Sequence, residues 1–390
     1  MAHKRGKNEG TIFKRSAKHD GRWCAVVDLG WENGKRKRKY VYGETRAEVA
    51  EALVKTLRDK AQGLPVAVER QTVADFLDRW LEGSVKPSVR PLTYQQYHQH
   101  ARLYLKPALG QLTLAKLNPQ HVQAFTNGQL NQGLSPRTAQ LSLVILRHAL
   151  NQAEKWGLVP RNVAKLVDSP KVSRPEAQYL TPEQANRFLS AAKGNRLEAL
   201  YTVALAIGLR QGEALGLRWR DVNLEEGTLT VCQAVERIGG KRFGEPGKLQ
   251  FVEPKTGRSR RSIAVPESIV RSLRSHHARQ LQVRLIAGSG RQDHDLVFST
   301  TKGTPIEATA LVRDFKRLLS KANLPTSIRF HDLRHSAATL LLAEGVELRA
   351  IMELLGHSTI ALTANTYSHV MPAMKRDLAA KIDALLAERA

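Results

Sequence analysis

Two stretches near the end of the chain decide how it is interpreted: HDLRHSAATLLLAEG, residues 331–345, and GHSTIALTANTYSHV, residues 356–370. His331 and Arg334 are three residues apart, so a helix would place both on one face. A glycine–histidine pair opens the second stretch, and Tyr367 follows in a run of small and polar residues. Each feature alone has an ordinary explanation: a solvated pair, a helix end or a packing tyrosine. Their meaning therefore depends on the rest of the chain.

The composition indicates a polyanionic partner. The chain has 390 residues, 42% of them hydrophobic, which is enough to bury the cores of two or three domains. It carries 61 Lys and Arg against 36 Asp and Glu, a formal net charge of +25. Such an excess favours nucleic acid or an anionic membrane surface. No apolar run approaches the roughly 18 residues of a membrane span, and the basic N-terminus lacks the apolar core of a secretion signal. We therefore expect nucleic acid and no membrane.

The two cysteines, Cys24 and Cys232, lie far apart in apolar surroundings. They provide neither a disulfide framework nor a zinc site and are typical of a reducing cytoplasm. The sequence thus predicts a cytoplasmic protein.

Residues 1–65 predict a small β-sheet backed by a helix. Two strand-like runs, residues 21–31 and 35–43, are joined by a turn containing Asn-Gly, a strong hairpin signal. A helix-like run follows from Thr45. Five consecutive cations on or beside the second strand either protect a sheet edge or contact DNA; we favour DNA contact. They are Lys35, Arg36, Lys37, Arg38 and Lys39.

Residues 72–167 predict a compact bundle of about four helices. Ser, Thr or Asn stands at several expected N-caps, and Pro119 and Pro136 occupy first-turn positions. Linkers are predicted on either side, at residues 64–71 and 168–177. The bundle contains no clustered chemistry of its own.

Residues 176–390 predict a third, mainly helical segment. It opens with a capping box, in which Thr181 caps the helix and Gln184 completes the motif. The exception is two strand-like runs, residues 226–235 and 260–266, which flank a Gly-rich basic loop.

This third segment contains the groups needed to cleave a phosphodiester without metal. Two arginines, Arg210 in GLRQGE and Arg334, can hold the non-bridging oxygens with permanently charged, planar forks. A tyrosine can attack in line once its proton is taken up. Lys255 in PKTGRSRR can protonate the leaving alkoxide, and histidines can donate to the phosphate and move protons near neutral pH. The candidate catalytic residues are Arg210, Lys255, His331, Arg334, His357 and Tyr367.

In this order, these motifs resemble the catalytic domain of the tyrosine recombinases, the phage-integrase family, over residues 180–372. The resemblance implies that Tyr367 forms a covalent 3′-phosphotyrosyl link, and that rejoining needs neither a cofactor nor a metal. It implies structural support from Glu213, which belongs to the family's first motif. It also implies homotetramers acting on two duplexes through a four-way junction.

The resemblance predicts the architecture and partners as well. Residues 72–167 are similar to the helical core-binding domain, and residues 1–65 to an arm-binding domain with a three-stranded sheet and a helix. The expected fold class is thus multidomain and mainly α, with a mixed α/β, mainly helical catalytic domain over residues 176–390. The expected function is integration of a mobile element such as a prophage at double-stranded attachment sites of core and arm type. An accessory DNA-bending or directionality protein is a further possible partner.

Several alternatives stay open. A DNA-binding architectural protein could keep the fold without the chemistry, and a resolvase or type IB topoisomerase-like activity would use similar residues. The tail after Tyr367 carries Leu378, Ile382 and Leu385 at helical spacing and could pack on its own domain or on a neighbouring protomer.

Two further motifs are interpreted as structural. Asp293-His294-Asp295 resembles a metal cluster, but it precedes a short strand-like run and lacks a further ligand set. His276-His277 lies in a basic helical run and is expected on a solvated or phosphate-facing surface.

Overall fold

A computed structural model of the protein divides into two compact units, residues 1–174 and 175–390. The residues that it describes are 11–16, 21–32, 35–61, 71–173, 178–240, 243, 245–254 and 260–356.

The first unit begins with a three-stranded antiparallel sheet in the order β1-β2-β3. Its strands are β1 Thr11–Lys14, β2 Trp23–Glu32 and β3 Lys35–Gly43, and the helix α1 Arg46–Ala61 follows. Ala25 and Val27 of β2 pack against Val49 and Leu53 of α1, so the helix covers one face of the sheet. Glu32 pairs with Lys35, while the predicted Asn-Gly turn between them lies outside the described residues.

Helices form the rest of this unit. They are α2 Val73–Trp80, α3 Lys86–Ser88, α4 Pro91–His100, α5 Lys106–Leu109, α6 Pro119–Asn131 and α7 Pro136–Lys155. Capping explains where several begin: Thr72 and Asp75 form a capping box, and the Asn118 and Ser135 side chains accept backbone N–H bonds beside a first-turn proline. A shared apolar core of leucines, valines and aromatic residues joins the helices.

Two of these helices continue through a wider turn instead of ending. A π-helical turn, Leu81–Val85, links α2 to α3, and another, Ala101–Leu105, links α4 to α5. In each, the N–H after the turn bonds the carbonyl five residues back, and a proline follows directly. The bundle therefore consists of four continuous helical segments, residues 73–88, 91–109, 119–131 and 136–155, as the sequence predicted.

The second unit is mainly helical. Its helices are α8 Pro182–Ala192, α9 Glu198–Ile207, α10 Gln211–Leu215, α11 Glu267–Ala287, α12 Ala308–Lys321, α13 Asp332–Ala343 and α14 Leu348–Leu355. The predicted capping box of Thr181 and Gln184 starts α8. Aromatic rings of Phe188, Tyr201 and Phe315 form edge-to-face and tilted contacts in the core between α8, α9 and α12.

Two small antiparallel sheets complete this unit. One has the order β4-β5-β8, and the other pairs β6 with β7. The strands are β4 Val222–Asn223, β5 Thr228–Val231, β6 Ala234–Gly240, β7 Glu245–Val252 and β8 Arg261–Ala264.

The β6–β7 pair differs from the sequence expectation. We expected a Gly-rich basic loop between two strands, but most of that segment is a β-hairpin. Its register shifts between Ile238 and Gly240, and Gly239 and Gly240 adopt positive φ angles of 81° and 120°. Glycine tolerates such a bulge without strain, so its presence did not exclude a strand. Likewise, the expected short strand at residues 296–300 forms only isolated bridges.

Within the described part of the chain, no helix is long and apolar enough to cross a membrane.

Candidate active site

The C-terminal ends of α9 and α14 meet at a pair of left-handed glycines. Gly208 ends α9 with φ 64°, and Gly356 ends α14 with φ 65°. A Cβ at Gly208 would lie 2.5 Å from Leu355 Cδ2. Both the backbone conformation and the close approach therefore require glycine at position 208.

Arg210 lies between these two helix ends and α10. It is the N-cap of α10, and its backbone N–H donates to Glu213 Oε2 at 3.1 Å. Its guanidinium donates from Nη1 to Glu213 Oε1 at 2.7 Å and from Nη2 to the Gly356 carbonyl at 3.1 Å. The side chain remains 38% exposed. Its position is thus fixed while part of the guanidinium still faces solvent.

Arg334, on α13, is buried beside it. The side chain is 2% exposed, and its guanidinium donates to the Gly208 carbonyl at 2.7 Å and to the Leu355 carbonyl at 2.5 Å. One arginine therefore joins the ends of two helices. The helix carbonyls at these ends carry partial negative charge, which stabilises the buried cation.

Glu213 and Arg261 form a buried ion pair beneath Arg210. Their side chains are 6% and 7% exposed, and Arg261 Nη2 lies 3.0 Å from Glu213 Oε2. Burial alone would raise the pKa of Glu213, but the charges of Arg261 and Arg210 together outweigh it, so the pKa is lowered. Glu213 is therefore ionised and shared by two guanidinium groups.

The three arginines together cap one helix end. Arg261 Nε donates to the Leu354 carbonyl at 2.7 Å, so that three consecutive carbonyls of α14 each receive a different arginine. The order along the helix is Leu354 with Arg261, Leu355 with Arg334 and Gly356 with Arg210. Three cations against one carboxylate give this point a positive excess, suited to an oxyanion such as a phosphate.

His331 is the N-cap of α13, three residues before Arg334. Its ring centroid lies 5.2 Å from that of His335. The pKa of His331 is lowered, first by partial burial of the ring and then by the charges of His335, Arg334 and Arg329. The residue remains exposed on its open side, and solvent there moderates the shift. A neutral imidazole at pH 7 follows from this direction.

The start of α13 is held by a separate ion pair. Asp332 is 1% exposed and accepts from the Arg329 backbone N–H at 2.6 Å and from Arg329 Nη2 at 2.7 Å. Ser336 adds a link to the start of the unit, because its hydroxyl oxygen accepts from the Leu180 N–H at 2.8 Å. These bonds fix the helix that carries His331 and Arg334.

The structure brings Arg210 and Arg334 together, with His331 at the start of the same helix as Arg334. Glu213 has the supporting position that the resemblance implied. Sequence reasoning missed Arg261, although it lies in the quoted run PKTGRSRR; only strand register distinguishes it from its neighbours. Three predicted residues lie outside the described part of the chain: Lys255, His357 and Tyr367.

The five predicted DNA-contacting cations lie on β3, within the first unit. Arg36 and Arg38 are exposed, and Arg36 pairs with Asp28 at 2.5 Å. Farther along the strand, Tyr40 and Tyr42 stack with ring centroids 6.5 Å apart. Lys39 is half-buried, and the side chains of Lys35 and Lys37 lie outside what the structure describes.

The expectation for His276 was wrong. Its side chain is buried in the core, and Nε2 donates to the Val297 carbonyl at 2.8 Å. Burial lowers its pKa. The basic run around it had suggested a solvated face, but the helix buries this position, while the ring of its neighbour His277 lies tilted against Trp219 with centroids 4.3 Å apart.

The Asp293–Asp295 motif forms local contacts. Asp293 accepts from Arg284 at 2.8 Å and from the Asp295 backbone N–H at 3.0 Å. Among the residues that the structure describes, no group of three or more His, Cys, Asp or Glu side chains could hold a metal ion.

Comparison with protein families gives two matches. Residues 178–374 match the model of the phage integrase family, and residues 72–130 match that of the phage integrase N-terminal SAM-like domain. The chain belongs to the phage integrase family. It is therefore a tyrosine recombinase, an enzyme that cleaves and rejoins DNA in site-specific integration.

Curated relatives are similar over most of the recombinase. A tyrosine recombinase XerC-like protein of Caldanaerobacter subterraneus subsp. tengcongensis is 34% identical over 358 residues, covering 88% of this chain and 91% of the relative. An integrase of Streptomyces ambofaciens is 32% identical, covering 94% of each chain. The ICEBs1 integrase of Bacillus subtilis strain 168 is 26% identical, covering 94% and 98%.

Solved structures confirm the predicted mainly helical fold of the recombinase. The Tn1549 transposon integrase in complex with transposon right end DNA has a TM-score of 0.65 at 22% identity, covering 79% of this chain and 99% of the other. A lambda integrase dimer bound to a COC′ core site has a TM-score of 0.56 at 18% identity, covering 94% and 96%.

Proposed function

We propose that the recombinase cleaves DNA at the C-terminal end of α14, where the arginine cap binds the scissile phosphate. The observation that carries this proposal is the convergence of Arg210 and Arg334 on adjacent carbonyls, those of Gly356 and Leu355. Arg210 offers its exposed edge to a non-bridging oxygen. Arg334 lies in the protein interior, where the low dielectric strengthens the attraction of its charge for the phosphate.

In this proposal, Tyr367 is the nucleophile and forms a 3′-phosphotyrosyl link with release of a 5′-hydroxyl. Lys255 protonates the leaving 5′-oxygen. His331 and His357 donate to phosphate oxygens or move protons. In the reverse step, the free 5′-hydroxyl attacks the phosphotyrosine and the tyrosine leaves, so the phosphodiester is restored with no external energy source.

We propose that residues 1–65 are an arm-type DNA-binding domain, separate from a core-binding domain at residues 72–167. α1 covers one face of the sheet, and on the other face, among the residues that the structure describes, Tyr40 and Tyr42 are exposed. Arg36, Arg38, Tyr40 and Tyr42 alternate along β3 with the core-facing Val41 and therefore point to that other face. Arg15 lies over the Tyr42 ring at 5.3 Å, which adds a cation to the surface. A basic and aromatic sheet face suits a DNA groove.

The partners of the recombinase are double-stranded attachment sites and further copies of the chain. A lambda integrase tetramer bound to a Holliday junction has a TM-score of 0.56 with this chain, and the relative from Bacillus subtilis is named as the integrase of ICEBs1. By analogy, we propose a homotetramer that integrates a mobile element in a bacterial cytoplasm. An accessory DNA-bending or directionality protein remains part of this proposal.

The test uses DNA that flanks the coding region of the protein, where such elements carry their attachment site. The wild type and Tyr367→Phe are incubated with labelled, nicked suicide substrates, quenched in detergent and run on a denaturing gel. We expect a slow, protease-sensitive covalent band with the wild type and none with Tyr367→Phe. Binding of the same DNA on a native gel should be equal for both.

Two outcomes would contradict the proposal. A covalent band of equal intensity with Tyr367→Phe would assign the nucleophile to another residue. Specific binding of nicked sites by the wild type without any covalent band would favour the architectural DNA-binding protein.

A further inference from the structure

We propose that Arg261 is a positioning residue for DNA cleavage. By neutralising Glu213 and holding the end of α14, it leaves the Arg210 guanidinium available to the scissile phosphate. The proposal rests on the function proposed above, in which Arg210 binds that phosphate.

The first argument concerns charge. Glu213 is buried between two guanidinium groups, Arg261 at 3.0 Å and Arg210 at 2.7 Å. If Arg261 were absent, the carboxylate would have Arg210 as its cationic partner, and a planar carboxylate attracts such a fork in bidentate geometry. The charge and the N–H donors of Arg210 would then be engaged by Glu213. The buried Arg261 therefore preserves a net positive charge at Arg210.

The second argument concerns geometry. Arg261 Nε donates to the Leu354 carbonyl, and its Nη1 would lie only 3.0 Å from a Cβ at Gly356. The guanidinium thus fills the space beneath the glycine that ends α14 and whose carbonyl accepts from Arg210. Arg261 is also the first residue of β8, so its bond to Leu354 joins this strand to the end of α14. Along the sequence, β8 follows the segment that contains Lys255, and the end of α14 precedes His357.

Strand register sets Arg261 apart from the adjacent arginine. In β8, Arg261 and Ile263 point inward, while Ser262 and Ala264 are exposed. Arg260 precedes the strand and is exposed. The two neighbours carry the same charge and differ in burial, which makes Arg260 a matched control for general attraction to DNA.

The experiment measures the single-turnover rate of covalent complex formation on the nicked substrate that gives the covalent band with the wild type. Because that band is required first, failure of the proposed function is recognised before any variant is compared. We expect Arg261→Met to slow the reaction at least about tenfold, which corresponds to about 1.4 kcal/mol of lost transition-state stabilisation. We expect Arg260→Met to react at the wild-type rate, with both variants binding the DNA alike.

A double variant distinguishes positioning from simple structural support. If Arg261 acts by relieving the charge of Glu213, Glu213→Gln combined with Arg261→Met should react at least about threefold faster than Arg261→Met alone. Arg261→Gln, which keeps a donor for the Leu354 carbonyl, replaces the Met variant in the same comparison if that variant unfolds. Equal slowing by Arg260→Met, or a double variant no faster than the single one, would overturn the proposal.

Discussion

Arginines serve two regions of this recombinase in opposite ways. At the end of α14, Arg261 and Arg334 are 7% and 2% exposed and bond backbone carbonyls at fixed distances. On β3, the Arg36 side chain is 50% exposed and has a carboxylate partner on the neighbouring strand. In the proposed DNA complex, the first group is held before DNA arrives, whereas the second can adjust to the DNA.

Burial changes what a charged side chain can contribute. An exposed cation attracts DNA at a distance, and salt screens it. A buried cation with satisfied donors has a fixed direction and needs little reorganisation when charge develops on a phosphate. We therefore expect the arginine cap at the end of α14 to control the rate of DNA cleavage and the stability of the folded state. We expect the exposed face of β3 to control the affinity for DNA.

The largest effect should come from Glu213→Ala, which leaves Arg261 buried without its carboxylate. Removing one partner of a buried pair costs about 3–5 kcal/mol. Glu307→Ala is a matched control because its pair with Arg237 is exposed, and such pairs contribute only about 0–1 kcal/mol. Urea unfolding of the full chain measures both changes in the free energy of unfolding. Equal losses would mean that the burial of Glu213 has no energetic consequence.

Arg334→Lys should produce the next largest effect. Lysine keeps the charge but cannot span the carbonyls of Gly208 and Leu355 with a planar fork. We expect covalent complex formation to slow about 100-fold, because without the fork the two helix ends and the charge between them shift, and a misplacement of about 1 Å can cost that much in rate. Arg349→Lys, on an exposed face of α14, controls for the exchange of arginine and should react normally. A normal rate for Arg334→Lys would show that cleavage does not need the guanidinium group of Arg334.

Arg38→Gln should weaken DNA binding without slowing cleavage. Each lost phosphate contact lowers the slope of log affinity against log salt concentration by about 1. Arg36→Gln should lower it less, because Asp28 already holds Arg36. Titrations with arm-type DNA at several salt concentrations compare the two. A larger decrease in this slope for Arg36→Gln than for Arg38→Gln would show that the ion pair with Asp28 orients Arg36 toward DNA instead of keeping it from the DNA.

The smallest effect should appear in the pH dependence of stability. In the unfolded chain His331 takes up a proton near pH 6.5, and in the folded chain it does so only at lower pH. The unfolded state therefore binds more protons below about pH 6.5, so stability falls as the solution becomes more acidic. His331→Gln should lose less stability than the wild type between about pH 7 and pH 5. Parallel stability curves would contradict the lowered pKa.

Local sequence signals predicted the parts of the molecule that depend on neighbours along the chain. The Thr181 capping box, the prolines that start α6 and α7, and the position of Arg210 after a helix end each follow from three or four adjacent residues. The domain boundaries and the roles of Lys255, His357 and Tyr367 stay predictions.

Signals that depend on distant contacts were not visible in the sequence. Arg260 and Arg261 are the same residue type, and only the pairing of Val231 with Arg261 in the sheet turns Arg261 inward. His276 looked solvated because its neighbours are basic, but its burial depends on Val297 and Phe298 from another segment. Residue type indicated which groups could act on a phosphodiester, and strand register and helix packing decided which of the described side chains are buried and which are exposed.

The π-helical turns of the bundle change how its helices must be counted. Each turn holds one residue more than an α-helical turn would, so the residues from the end of each turn onward are rotated by about 100° relative to an uninterrupted helix. A heptad count carried across either turn therefore assigns the wrong side chains to the core. Val85, one position beyond the α-helical phase of Val73 and Leu77, is buried for this reason. A chain with an uninterrupted α-helix on the same core would therefore align with this one only across a one-residue gap at each turn.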